Sequence, residues 1–284
     1  MRFIAVDWGT TNRRALLIVD GAVVAAEQHD RGAAVMAPDA YPQEIAGIRA
    51  RLGDEPMLLA GMVGSTIGWR EVPYAPVPAC LGALAASLCR IDARTAIVPG
   101  VSLLRDGRAD VMRGEEVQLL GAVAAGLAPR DALLCQPGTH CKWARIADGA
   151  IVDFTTAMTG ELFSLLRTHS LLRHQLGGDV VRGAVFLAGA AEGAGRDLSA
   201  GLFAIRARAV LGIDRDATSF ASGLLIGADV AARVAPGDHV HIIADPGLAA
   251  LYGDAIAALG GTSSVIDSRA AFVAGITRIQ ELAR

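Results

Sequence analysis

The sequence predicts an α/β protein of two similar lobes, each a mixed sheet flanked by helices, and three observations carry that prediction. The stretch FIAVDWGTTNRRALLIVDGAVVAAE, beginning at Phe3, resembles LLCQPGTHCKWARIADGAIVDFT, beginning at Leu133. In both, an apolar strand runs into Gly-Thr (Gly9-Thr10; Gly138-Thr139), a second strand follows, and Asp-Gly (Asp20-Gly21; Asp148-Gly149) turns into a third. An Asp-Gly pair between apolar runs marks a hairpin, because both central residues of such a turn favour positive φ. Beyond each of these heads strands alternate with helical patterns, the order expected of sheets with helices on their faces.

The elements follow in order. After the first three strands come helical patterns, a strand at Met57 to Ala60, the loop GMVGSTIGWREVPY, and the helix-like ACLGALAASLC. A strand at Thr95 to Val98 leads to Pro99-Gly100. A helix then runs from about Arg113 through EEVQLLGAVAAGL, with Val117, Leu120 and Ala124 on one face. Leu127-Ala128-Pro129 ends it and begins the crossing to the second half. That half repeats the alternation: a helix from about Thr159, a long helical region to about Val210, and SFASGLLIGADVAARV as a helix. A strand at His239 to Ala244, a helix at about Gly247 to Leu259, a short strand and a terminal helix complete the chain.

With 284 residues and 52% apolar content the chain can bury a substantial core, in one large domain or two modest ones. Its net charge of -3 provides no basic stripe to track a nucleic-acid backbone, so no nucleic-acid partner is expected. Asp7 interrupts the first apolar run after four residues, and no later stretch approaches the roughly 18 apolar residues of a membrane helix. The reading is a soluble, cytoplasmic protein without a signal peptide or membrane partner. The four cysteines, Cys80, Cys89, Cys135 and Cys141, form no CxxC pair and are expected to be reduced and mostly buried.

The candidate chemistry lies in the turns and one helix start. A Gly-Thr turn between strands presents backbone N–H groups without an obstructing Cβ, and threonine hydroxyls add donors, which suits phosphate oxygens. A plain hairpin is the alternative for one such turn; the duplication favours phosphate. Asp7, at a strand end, can hold a hydrated Mg²⁺ bridging nucleotide oxygens, or simply cap the turn. Arg13 and Lys142 can neutralise phosphate charge or be ordinary strand residues. Glu115 and Glu116, in MRGEEVQLLG, face the positive end of a helix macrodipole, which alone favours acids there. A helix start is also a rigid mount for a base that deprotonates a sugar hydroxyl, with Arg113 before it to bind an anionic group. The loop GMVGSTIG, with Gly64 and Ser65, and the neighbouring Trp69, Arg70 and Tyr74 can contact a polyol acid, or form a connection anchored by tryptophan. His239 and His241 share a strand face without a third ligand and are read as edge histidines.

These residues resemble a known family. IAVDWGTTNRRA, GMVGS with GW and PY, VMRGEEVQLLG, PGTHCKW, TAMTGELFSLL with HSLL, LFAIRA and SGLLIGADV occur in the order of the 2-dehydro-3-deoxygalactonokinases. That family belongs to the actin, Hsp70 and sugar-kinase superfamily. The resemblance implies a two-lobed actin-like ATPase (ribonuclease H-like) fold with duplicated mixed-sheet domains and ATP in the inter-lobe cleft. Residues 1–128 would be a sugar-binding lobe, with a terminal helix at about 271–284 packing back on it, and residues 129–270 a nucleotide-binding lobe.

The implied reaction is transfer of the ATP γ-phosphoryl group to the C6 hydroxyl of 2-dehydro-3-deoxy-D-galactonate, in D-galactonate breakdown. Asp7, Gly9, Thr10, Thr11, Asn12 and Arg13 then match the first phosphate motif, and Gly138, Thr139, His140 and Lys142 the second. Glu115 is the first choice as base and Glu116 the second. The phosphate turns do not specify the acceptor, so another sugar or sugar acid is the enzymatic alternative. A nucleotide-dependent regulatory or assembly protein is the non-enzymatic one, and a homodimer is compatible with either. One departure from the family pattern is Asp245-Pro246-Gly247, where a glycine with a small hydroxyl residue is usual; Pro246 can serve instead as the first residue of a helix.

Overall fold

The computed structural model describes residues 1–195, 197–213 and 216–284. The chain forms two compact units. The first comprises Met1–Asp131, Ala144–Phe154 and Asp267–Arg284; the second comprises Ala132–Trp143 and Thr155–Ile266.

In the first unit, β1 (Arg2–Trp8), β2 (Arg13–Val19) and β3 (Ala22–His29) form an antiparallel meander. Asp20 and Gly21 both take positive φ (48° and 81°), as an Asp-Gly hairpin requires. Next come α1 (Tyr41–Leu52), β4 (Met57–Gly61), β5 (Ala75–Pro76), α2 (Leu81–Ala86), β6 (Cys89–Arg90) and β7 (Thr95–Ile97). The main sheet has the order β3-β2-β1-β4-β7-β6, with β1 parallel to β4. Phe3 to Val6 are buried on both faces of β1, which explains an apolar run without alternation. Ile4, Val6, Trp8, Leu17, Tyr41, Ile48 and Leu59 share one core. β8 (Val101–Arg105) and β9 (Arg108–Met112) join β5 in a small second sheet.

The helix expected from Arg113 begins at Glu115 as α3 (Glu115–Ala124), because Gly114 takes φ 107° and breaks the helical path. The ACLGALAASLC helix is likewise confined to Leu81–Ala86.

β10 (Ala132–Gln136), β11 (Cys141–Ala147) and β12 (Ala150–Ala157) begin the second sheet, with Ala144–Phe154 of β11 and β12 counted in the first unit; α4 (Thr159–His169), α5 (Ala184–Ala194), α6 (Leu198–Val210) and α7 (Ala217–Ala231) follow in the second unit. β13 (His239–Ile243), α8 (Pro246–Ala258) and β14 (Thr262–Ile266) complete it, and α9 (Ser268–Leu282) belongs to the first unit. The five-stranded order is β12-β11-β10-β13-β14, with β13 parallel to both neighbours. Asp148 and Gly149 repeat the positive φ pair of the first hairpin (49° and 75°).

The helix expected from about Thr159 is α4, and the long helical region expected after it up to Val210 holds two helices, α5 and α6, the first starting only at Ala184 after residues 170–183. The Asp197 side chain caps α6 by accepting from Ala200 N–H. Residue 196, inside the expected span, lies outside the described residues. Helices α5 and α7 interlock through Gly189, Gly193, Gly223 and Gly227. A Cβ added at any of these would stand 2.0–2.2 Å from a backbone carbonyl oxygen of the facing helix. In the first unit α3 meets α9 the same way at Gly121 and Gly275.

Two of the four cysteines are buried, Cys135 and Cys141. Cys80 is exposed and Cys89 partly so, because the short α2 leaves its flanks at the surface.

Candidate active site

Glycine contacts bring the ends of β1 and β4 and the start of α3 together. A Cβ on Gly61 would lie 2.6 Å from the Trp8 carbonyl oxygen, and one on Gly114 would lie 3.2 Å from the Gly61 Cα. Only bare backbone permits that approach. It sets Asp7, near the end of β1, close enough to Glu115 for the two charges to interact. Burial pushes the Asp7 carboxyl up to about 6. Arg14 opposes that rise and Glu115 adds to it.

The strand register explains which arginine matters. Asp7 pairs with Arg14, whereas Trp8 pairs with Arg13, so the two arginines leave opposite faces of β2. Arg13 is buried, donates to Glu44 and Glu27, and lies 5.5 Å from the Trp8 ring centroid. It is turned into the core on the face opposite Asp7. Arg14 is the cation beside Asp7 that motif reading passed over; counting the antiparallel register back from the turn would have found it.

The first turn is held by its carbonyls. Ala33, Ala34 and Gly32 N–H groups donate to the carbonyl oxygens of Gly9, Thr10 and Thr11 at 3.0, 3.0 and 2.9 Å, and Gly9 N–H donates to Asn12 at 2.8 Å. Thr10, Thr11 and Asn12 are exposed. Among the described residues nothing accepts from the N–H or hydroxyl groups of Thr10 and Thr11. The turn thus presents donors outward, as an anion cradle does.

At the start of α3, a Glu115 carboxylate oxygen accepts from Arg113 N–H at 3.1 Å. Glu116 is fully buried. Its Oε2 accepts from Gly114 N–H at 2.6 Å, and its Oε1 has no partner among the described residues. Burial and the neighbouring Glu115 charge push the Glu116 carboxyl up to about 8, so it holds its proton at neutral pH. Arg113 is 8% exposed. Its Nη2 donates to the Val72 carbonyl at 2.6 Å and its guanidinium lies 4.2 Å from the Tyr74 ring centroid, while Nε and Nη1 are buried without partners among the described residues. Gly64 makes the room: a Cβ there would lie 2.8 Å from Nη1.

The loop is more anchored than its composition suggests. Ser65 Oγ donates to the Met62 carbonyl at 2.7 Å, and Trp69 donates its N–H to Val63 and stacks on Tyr41 with centroids 5.9 Å apart. Arg70 and Tyr74 are exposed. Gly64, Tyr74 and Arg113 thus form one cluster, whereas Trp69 packs on the core side.

In the second unit, Gly138, Thr139 and His140 form an exposed turn pressed against the start of α4. Glu161 N–H donates to the Thr139 carbonyl at 2.9 Å, and a Cβ on Gly160 would lie 2.4 Å from the Gly138 oxygen. His140 Nε2 meets Glu161 Oε2 at 2.5 Å. Among the described residues nothing accepts from the Gly138 and Thr139 N–H groups. Lys142 is buried on β11 and its Nζ donates to Thr156 Oγ1 at 2.9 Å. Beside the turn lies a small recess walled by Gly138, Phe163, Leu225, Ile226, Leu248 and Tyr252. Leu248 belongs to the first turn of α8, which Pro246 opens.

His239 and His241 bond across to Thr262 and Ser264. Among the described residues no three His, Cys, Asp or Glu side chains form a metal cage. The oxygen donors Asp7 and Glu115 suit an ion that keeps most of its own water, as Mg²⁺ does.

The paired mixed sheets with helices define the α/β fold of actin-like sugar kinases and ATPases. That fold is shared with the (R)-2-hydroxyglutaryl-CoA dehydratase component A of Acidaminococcus fermentans (TM-score 0.52, 12% identity, 100% of both chains). The 2-keto-3-deoxy-galactonokinase family model matches residues 7–279, and the chain belongs to that family. It is 38% identical over 286 residues to the 2-dehydro-3-deoxygalactonokinase of Escherichia coli (strain K12), across 98% of this chain and 97% of that one. A Sinorhizobium meliloti protein solved as a candidate 2-dehydro-3-deoxygalactonokinase superposes with a TM-score of 0.91 at 33% identity, covering 98% of this chain and 96% of the other. The chain is a kinase, and no helix among the described residues is long and apolar enough to cross a membrane.

Proposed function

We propose that the protein transfers the γ-phosphoryl group of ATP to the C6 hydroxyl of 2-dehydro-3-deoxy-D-galactonate, in the cytoplasm, as a step of D-galactonate catabolism. Within the family, the observation that carries this acceptor is Arg113, whose buried Nε and Nη1 lack partners beside Glu115. A buried guanidinium with two unsatisfied nitrogens costs stability unless a ligand accepts from them, and an anionic carboxylate is a strong acceptor for such donors. A sugar acid supplies that carboxylate; a neutral sugar does not.

The first unit is the acceptor lobe and the second the nucleotide lobe in this reading. Glu115 accepts the C6 hydroxyl proton as the C6 oxygen bonds to the γ-phosphorus and the bond to ADP breaks. Glu116, still protonated at neutral pH, is not available to accept that proton. Thr10 and Thr11 in the first unit, and Gly138 and Thr139 in the second, each present donors suited to phosphate oxygens, and the recess beside Gly138 suits the base. Mg²⁺, held through Asp7 and water, would neutralise the phosphate charge.

The test is product analysis. Protein incubated with Mg²⁺-ATP and the keto acid should yield one phosphate ester, which phosphorus–proton coupling in NMR places at C6. An ester on another hydroxyl, or no ester, contradicts the assignment.

A further inference from the structure

The buried carboxylate of Asp229, on α7, accepts from four side chains on several elements. Oδ1 accepts from Trp143 Nε1 on β11 at 3.1 Å and from Arg233 Nη1 at 2.6 Å. Oδ2 accepts from Thr159 Oγ1 on α4 at 2.9 Å and from Tyr252 OH on α8 at 3.0 Å. Burial holds the Tyr252 phenol well above its usual range, which keeps it a donor.

Three of the four partners, Trp143, Thr159 and Tyr252, lead to the Gly138–Thr139 turn, while Arg233 neutralises the carboxylate. Trp143 follows the turn by four residues along β11. Thr159 opens α4, whose next two residues touch it: Gly160 is pressed on the Gly138 oxygen and Glu161 N–H holds the Thr139 carbonyl. Tyr252 and Thr159 also line the recess beside Gly138. One carboxylate thereby fixes the strand after the turn, the helix start behind it and a wall beside it.

We infer that Asp229 is a positioning residue for nucleotide binding: by clamping Thr159, Trp143 and Tyr252 it holds the Gly138–Thr139 donors in the geometry that receives phosphate. It does not itself touch nucleotide. The inference rests on the reading above that this turn and recess bind ATP. A buried network of this kind fixes geometry because each carboxylate oxygen is held by two donors at once, and loss of one hydrogen bond to a charged group is a tenfold effect or more.

The experiment measures Mg²⁺-ATP affinity by titration, with KM for both substrates and Tm, for the wild type, Thr159→Val, Thr159→Ser and Asp229→Asn. Thr159→Val keeps the shape and removes one donor to Oδ2. It should weaken ATP binding by about tenfold, leave the acceptor KM within about twofold, and be rescued by Thr159→Ser. Asp229→Asn should behave like Thr159→Val. Ile205→Val, in a separate core of the same unit, is the stability control and should lower Tm without changing ATP affinity. Unchanged ATP affinity in folded Thr159→Val overturns the inference. So does a loss matched by Ile205→Val at equal Tm, which would mean general loosening. A wild type that does not bind ATP overturns the nucleotide reading itself, and this inference with it.

Discussion

Glu115 and Glu116 are adjacent in sequence but occupy different environments. Glu115→Gln should lower kcat by about 10²–10⁴, the range for loss of a general base, while ATP affinity measured by titration stays near that of the wild type. Glu116→Gln replaces a carboxyl already neutral at pH 7 and should retain most of the turnover. Its signature is in stability. The folded Glu116 carboxyl is raised to about 8 from 4.5, so the unfolded chain releases this proton first, and stability falls as pH rises between those values. Glu116→Gln should abolish that fall, with a Tm close to the wild type at pH 5 and several degrees higher at pH 8 in thermal melts. Asp7, raised to about 6, must be ionised to hold a cation, so kcat/KM for Mg²⁺-ATP should drop on the acid side near pH 6, and Asp7→Asn should lose most activity. The sequence shows the acid pair and the Gly-Thr turns because spacing alone identifies them. It does not show which acid keeps its proton, since that depends on what buries Glu116. Nor does the motif separate Arg13 from Arg14: strand register turns one into the core and leaves the other by Asp7.

The elements around the site are held by backbone contacts that only glycine allows. Gly223 faces Phe186 and Gly227 faces Ala190 across the α5–α7 seam, with Gly189 and Gly193 reciprocating. Gly223→Ala should cost about 1–3 kcal/mol by overpacking and lower the urea midpoint. Gly177→Ala, where nothing lies within 4 Å of the added methyl, should leave it nearly unchanged. The hairpins were legible in the sequence because Asp-Gly dictates its own turn. The long helical region up to Val210 was not resolved into α5 and α6, because small apolar residues satisfy helix periodicity almost anywhere. Their ends depend on local signals such as the Asp197 cap, and the four-residue glycine spacing in AGAAEGAG and SGLLIGADV is the clue to their packing.

For the whole molecule, the internal repeat was the most informative feature. It anticipated two sheets built on equivalent hairpins, and the family match over residues 7–279 accords with that plan. The Asp229 clamp could not be read from the chain, since Trp143, Thr159, Asp229 and Tyr252 meet only after folding. The central claim is that the protein is a sugar-acid kinase whose acceptor carries a carboxylate. The most direct test is the rate of ADP release from Mg²⁺-ATP with 2-dehydro-3-deoxy-D-galactonate, its gluconate epimer, galactonate, galactose and no acceptor. Release should be driven by the galactonate-derived keto acid, with near-background rates with galactose or no acceptor. Equal release with galactose, or release independent of any acceptor, would contradict that claim.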